Sequence, residues 1–362
     1  MTQSVSPRMD THLLSPEKLA GGLLVAGFDG LEAPREILDD LREERLAGVI
    51  LFKRNIQDPQ QLLALNASLQ EAAPSDVPLI LSVDQEGGRV QRLPRPWAKW
   101  PTAAAMGATE DPELLAALGR AMGRELAAAG FNVDFAPVLD THTNPQNPII
   151  GDRAFAASPG DVSPRALAFA AGLEKAGVAP CGKHFPGHGD TLLDSHLELP
   201  YVEHPEARLR KVELHPFRQA APHLPALMTA HVLYRHLDPD HPATLSPHVI
   251  QGLLREELGF KGLVVSDDLE MKAVSTRYPS GELAVRCLRA GVDLLLVCRS
   301  RSRLLEARRR LTEEVKATPE VREVAEAAWR HVHKFRRKLS INPVDEKETQ
   351  RCIHAARPGG EV

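Results

Sequence analysis

Cysteine is scarce in this chain: Cys181, Cys287, Cys298 and Cys352 are scattered over 362 residues, and no two form a CxxC pair. Such spacing excludes a disulfide-stapled scaffold or a tight thiolate metal site and points to reduced thiols. A basic excess is also missing. The 44 basic residues face 48 acidic ones, for a net charge of −4, so nothing marks a nucleic-acid or anionic-membrane partner. No apolar stretch approaches the roughly 20 residues of a membrane span. The N-terminal region offers only a short apolar run near residues 22–27, without the positive start and longer stretch of a secretory signal, so a cytoplasmic location is expected. The earliest strand-like run, LLVAGFDG (23–30), is not GxGxxG, and no later run supplies that pattern. A doubly wound dinucleotide fold is therefore disfavoured.

What is present is 43% hydrophobic and 25% charged sequence, enough for a soluble protein with a sizeable core. Eight short apolar runs recur, at 23–30, 48–55, 78–87, 131–140, 179–189, 226–234, 262–271 and 292–300. Their continuous apolarity suits strands buried on both faces, as in a parallel sheet. Segments of helical period lie between them: 111–130, 163–178 with Ser163-Pro164 at its start, and 246–259. Two more, 302–316 and 319–339, follow the last run. Eight strand–helix units predict an α/β fold, a single (β/α)8 TIM barrel, whose usual size is about 250 residues and grows with insertions. We expect the barrel to occupy residues 1–340 and the polar segment 341–362 to be a loose tail.

A barrel of this kind gathers its reactive groups at the C-terminal ends of the strands. The polar residues fall there: Asp84, Glu86, Arg89 and Arg92 after the third run, Asp152 and Arg153 after the fourth, Lys183 and His184 after the fifth, His231 after the sixth, and Asp267 and Asp268 after the seventh. Any one of them has an ordinary structural reading. Asp84 could cap a helix, and one of the Asp267–Asp268 pair could sit at a helix N-terminus, where the dipole favours acids. Their joint occurrence at successive strand ends is what points to a site.

The densest segment is KHFPGHGDTLLDSH (183–196), with three histidines, a lysine and two aspartates. His184 and His188 have the i, i+4 spacing of metal ligands on a helix, but Pro186 and Gly187 between them break the helix that would give the spacing meaning. Lys183 could meet a phosphate, yet no glycine-rich nest leads into a helix N-terminus. A proton relay needs a titratable group and a partner that orients it. Asp194 and His196, two residues apart, supply both, although Asp-Ser-His alone is weak support.

The segment KHFPGHGDTLLDSH resembles a signature of the family 3 glycoside hydrolases, in their NagZ-type β-N-acetylglucosaminidase branch. DQEGGRVQRL (84–93), GDRAF (151–155), MTAHV (228–232) and VVSDDLEM (264–271) resemble the family's other motifs in the same order, so the likeness runs from about residue 20 to about residue 300. The resemblance implies that Asp267 is the catalytic nucleophile and that Asp194 and His196 form the acid/base dyad. It also implies that Asp84, Arg92, Arg153, Lys183 and His184 contact sugar hydroxyls. We expect no second domain, which agrees with a dyad borne on the barrel.

A retaining glycosidase needs a carboxylate below the anomeric carbon and an acid above the leaving oxygen. In this reading Asp267 attacks, and Lys183 and Arg153 help keep it ionised. His196 protonates the departing group and then activates water. No metal and no organic cofactor is required. The expected substrate is a glycoside with a terminal β-linked N-acetylglucosamine, of which N-acetylglucosaminyl-anhydromuramoyl peptides from peptidoglycan recycling are the leading case. A β-N-acetylglucosaminide phosphorylase is the near alternative. A metal-dependent amidohydrolase built on His184, His188 and Asp267 is the alternative of another class.

Overall fold

The computed structural model describes residues 11, 14–74, 76–191, 195 and 198–355. Eight parallel strands close into a barrel: β1 (Leu24–Ala26), β2 (Gly48–Leu51), β3 (Ile80–Val83), β4 (Val133–Asp134), β5 (Ala179–Phe185), β6 (Ala226–Thr229), β7 (Leu263–Asp268) and β8 (Leu294–Val297). Each lies inside one of the apolar runs, and β8 returns to pair with β1 from Leu24–Leu295 to Ala26–Val297. Closure leaves no edge, and β2, β3, β6 and β8 are buried along their whole length. That burial explains why these strands read as unbroken apolar stretches rather than alternating ones.

The helices between strands follow their capping residues. Asp111 accepts from the amides of Glu113 and Leu114 to open the helix Pro112–Ala128. Ser300 opens Arg301–Ala317, and Pro319 begins Pro319–Arg336. The segment after Ser246 winds as a π-helix, His248–Glu257. One boundary differs from expectation. The helix expected from 163 begins at Pro159, after an earlier Ser-Pro pair, and carries Pro164 inside it. The added turn is held inside the fold: Val162 and Ser163 are buried, and Ser163 Oγ donates to Gln219 Oε1.

The loose tail expected beyond residue 340 is not what residues 341–355 form. Glu346–Ala355 is a helix with Thr349 and Ile353 buried, and the Asp345 amide donates to Ala128 O at 2.8 Å. Arg124 pairs with Glu348. Just before the helix, Asn342 Nδ2 donates to Phe131 O at 2.7 Å and Gly177 O at 2.9 Å, while Gln70 Nε2 donates to Asn342 O at 2.8 Å. The segment is polar in sequence because few of its side chains face inward, and those few anchor it.

Replacing Asn342 leaves two carbonyls short of a donor at the foot of β4 and β5, and an unmet buried polar group costs about 1–3 kcal/mol. Asn342→Ala should therefore lower the urea unfolding midpoint by that order while leaving the slope of the transition unchanged.

Candidate active site

The C-terminal mouth of the barrel opens into a cavity of about 340 Å³. Its lining includes Asp84, Glu86, Arg92, Arg153, Lys183, His184 and Asp267, drawn from four strand ends. All six expected residues among those described, the five proposed sugar contacts and Asp267, thus meet in one place. Asp194 and His196 lie outside the described residues, although Ser195 between them lines the same cavity.

The turn after β3 is folded by its glycines. Gly87 and Gly88 take φ of +95° and +55°, and a Cβ on Gly87 would stand 2.2 Å from Pro101 O. No larger residue fits there. The tight turn closes with Glu86 N on Val90 O at 2.9 Å, and Gln85 Oε1 accepts the Arg92 amide at 2.8 Å. The chain is thereby folded back so that Arg92 reaches Asp84 at 3.2 Å. Phe52, at the end of β2, lies 5.3 Å from the Arg92 guanidinium, within cation–π range.

Lys183 sits between two carboxylates, with Nζ 2.8 Å from Asp84 and 2.7 Å from Glu86. Arg153 meets Glu86 through two parallel bonds of 2.8 and 2.7 Å. It is aimed by Asn147, whose Oδ1 accepts the amides of Ile149 and Ile150 and folds the loop that leads to it. Burial alone would raise both carboxyls, but the facing cations prevail. Lys183 and Arg92 hold Asp84 far below its ordinary range, and Arg153 with Lys183 brings Glu86 down to about 2. Burial would lower Lys183, yet Asp84 and Glu86 hold it above its usual value. Asp134, behind this cluster, is pushed well above the carboxylate range by burial, and its Oδ1 accepts the Gln85 amide.

Asp267 and Asp268 end β7 in different surroundings. Asp267 lines the cavity. Asp268 is turned into the fold, where its Oδ1 accepts the amides of Glu270 at 3.0 Å and Cys298 at 3.2 Å. Burial pushes Asp268 up to about 7 in spite of those amides, and the nearby anions add to the shift. His231 is fully buried, with its ring nitrogens 2.9 Å from Thr244 Oγ1 and 3.0 Å from Asp268 O. It braces the strand ends and does not line the cavity.

His184 and His188 of the 183–196 segment both line the cavity but rest on different partners. His184 lines the cavity, with Nδ1 2.7 Å from Asp140 Oδ2. His188 holds Ser195 Oγ at 3.1 Å and Thr191 Oγ1 at 2.9 Å, one on each ring nitrogen. Burial and the neighbouring His184 lower it to about 4, so it is neutral near pH 7. Both His188 nitrogens thus face hydroxyls, and among the described residues no cluster is arranged to hold a metal ion. Glu86 and Asp140 carry much of this geometry and were given no role in the sequence reading. Glu86 stood in the quoted DQEGG motif, and Asp140 closes the FNVDFAPVLD run.

Residues 17–335 match the sequence model described as the glycosyl hydrolase family 3 N terminal domain. The chain belongs to glycoside hydrolase family 3. It is 43% identical over 284 residues to a β-hexosaminidase of Alkalilimnicola ehrlichii, covering 76% of this chain and 80% of that one. With the β-hexosaminidase of Idiomarina loihiensis it shares 36% identity over 338 residues, 92% of this chain and 98% of the relative. A family 3 β-N-acetylglucosaminidase from Paenibacillus superposes with a TM-score of 0.85 at 39% identity, covering 95% of this chain and 68% of that one. NagZ from Neisseria gonorrhoeae, solved with N-trifluoroacetyl-D-glucosamine, superposes with a TM-score of 0.73 at 32% identity, covering 87% and 98%. The expected fold, the family and the class of enzyme, a glycoside hydrolase of the β-hexosaminidase type, all hold; the amidohydrolase alternative does not.

The buried cluster gives acid sensitivity a definite sign. Asp84 and Glu86 have depressed pKa values in the folded state, so their contribution is complete above the unfolded value near 4.5 and fades as pH falls toward about 2. Removing the shared cation should cost about 3–5 kcal/mol, the usual penalty for stranding one side of a buried ion pair. Lys183→Met should unfold at lower urea at pH 7, and, because Asp84 and Glu86 are then held less far below their unfolded values, its stability should fall less between about pH 4.5 and about pH 2 than that of the wild type.

Proposed function

We propose that this protein is a retaining exo-β-N-acetylglucosaminidase that removes terminal β-linked N-acetylglucosamine through a covalent glycosyl-enzyme on Asp267. One observation carries the reading. Asp267 lines the same cavity as the Asp84, Arg92, Arg153, Lys183 and His184 side chains in a chain of family 3. Those five bind the sugar, and Asp194 with His196 serves as the acid/base dyad. The substrates are N-acetylglucosaminyl-anhydromuramoyl peptides released during peptidoglycan turnover, cleaved in the cytoplasm.

Hydrolysis proceeds in two displacements. Asp267 attacks the anomeric carbon while His196 gives its proton to the leaving oxygen. Water then enters, His196 takes its proton back, and the Asp267 ester is released. A histidine acid avoids setting a second anion opposite the nucleophile. Two adjacent carboxylates could instead support attack by the substrate's own acetamido oxygen. The geometry of Asp268 speaks against that route, because its Oδ1 is occupied by the Glu270 and Cys298 amides.

Asp267→Ala should abolish release of p-nitrophenol from the β-N-acetylglucosaminide while sugar binding persists; wild-type-like turnover would remove Asp267 from the role. His196→Ala should slow poor leaving groups far more than activated aryl ones, by the roughly 10²–10⁴-fold typical of a lost general acid. A 2-deoxy-2-fluoro glycoside, which has no acetamido group, should label the peptide containing Asp267 in mass spectrometry. Tight inhibition by a thiazoline with no adduct would point to substrate assistance instead. Product analysis with and without phosphate separates hydrolysis from phosphorolysis.

A further inference from the structure

Asp140 is a buried carboxylate that does not line the cavity, yet three groups of the 183–196 segment converge on it. Its Oδ2 is 2.7 Å from His184 Nδ1. Its Oδ1 accepts the His188 amide at 2.6 Å and the His184 amide at 3.3 Å. We propose that Asp140 is a positioning residue that holds His184 in its Nδ1–H tautomer, so that Nε2 meets the substrate as an acceptor for one sugar hydroxyl. The inference rests on the glycosidase reading for the identity of the ligand and goes beyond it in assigning a proton.

The chemistry follows from the partners. An ionised carboxylate can only accept, so the contact at Nδ1 requires a proton there. In a neutral imidazole the remaining nitrogen then carries a lone pair. His188 does not compete for that contact, because its own ring nitrogens hold the Ser195 and Thr191 hydroxyls. Elsewhere in the cavity Lys183, Arg92 and Arg153 can only donate, and Asp84 and Glu86 are occupied by those cations. A sugar hydroxyl must both accept and donate. Set between the Lys183 ammonium and His184 Nε2, it accepts from the first and donates to the second. A neutral acceptor of this kind adds no third anion to the cluster.

Asp140→Asn tests the assignment. The His184 and His188 amides keep the single remaining oxygen turned toward them, so the new NH₂ faces His184 Nδ1 and donates. The tautomer then reverses, and Nε2 carries the proton. Long-range proton–nitrogen correlations on histidine-labelled protein should show Nδ1–H for His184 in the wild type and Nε2–H in the variant. Kinetics with 3-, 4- and 6-deoxy and deoxyfluoro versions of the aryl N-acetylglucosaminide give the second readout. In the wild type, loss of the contacted hydroxyl should lower kcat/KM roughly 10–100-fold, with fluorine, which can accept from Lys183 but cannot donate to Nε2, recovering little of it. In Asp140→Asn, fluorine at that one position should recover part of the loss, since it can accept from Nε2–H. A wild-type His184 found as Nε2–H or as imidazolium overturns the proposal, as does a variant that loses the same factor on every analogue. If no glycoside is turned over, the functional reading fails, and the wild-type nitrogen spectrum still decides the tautomer.

Discussion

One ammonium organises the mouth of this barrel. Lys183 reaches from β5 to carboxylates that follow β3, and through Glu86 it is coupled to Arg153 on the loop after β4. Burying any of these charges alone would cost several kcal/mol. Together they form a lattice in which each acid has two cationic partners, and none of them changes charge near neutral pH. The sugar therefore meets donors and acceptors already fixed in place, and little rearrangement is needed when it binds.

Asp267 and Asp268 show how backbone amides assign work to side chains of the same kind. The amides of Glu270 and Cys298 draw Asp268 into the fold, and His231 braces its carbonyl. The residue before it remains at the cavity. His184 and His188 both line the cavity, but one rests on a buried carboxylate and the other on two hydroxyls.

Much of this was legible in the sequence. Strands buried on both faces must be apolar throughout, so the eight strands stood out, and barrel geometry placed the polar strand ends together. Pairing was not legible. Asp84 and Lys183 lie 99 positions apart, and only strand register brings them within bonding distance. Asp140, and the pairing of Glu86 with Lys183 and Arg153, were not legible for a related reason, since each carboxylate acts on a partner from another strand or its loop. The C-terminal helix escaped notice because two buried side chains, Thr349 and Ile353, leave no periodic apolar stripe.

That helix has an implication for biosynthesis. Asn342, four residues before it, donates to carbonyls at Phe131 and Gly177, just ahead of the strands that present Asp140 and Lys183. These strands emerge from the ribosome well before the residue that fastens their lower ends. The active-site half of the barrel is thus clasped by a segment made after all of its strands, and a nascent chain that has not yet reached Asn342 carries every residue of the mouth without the clasp beneath it.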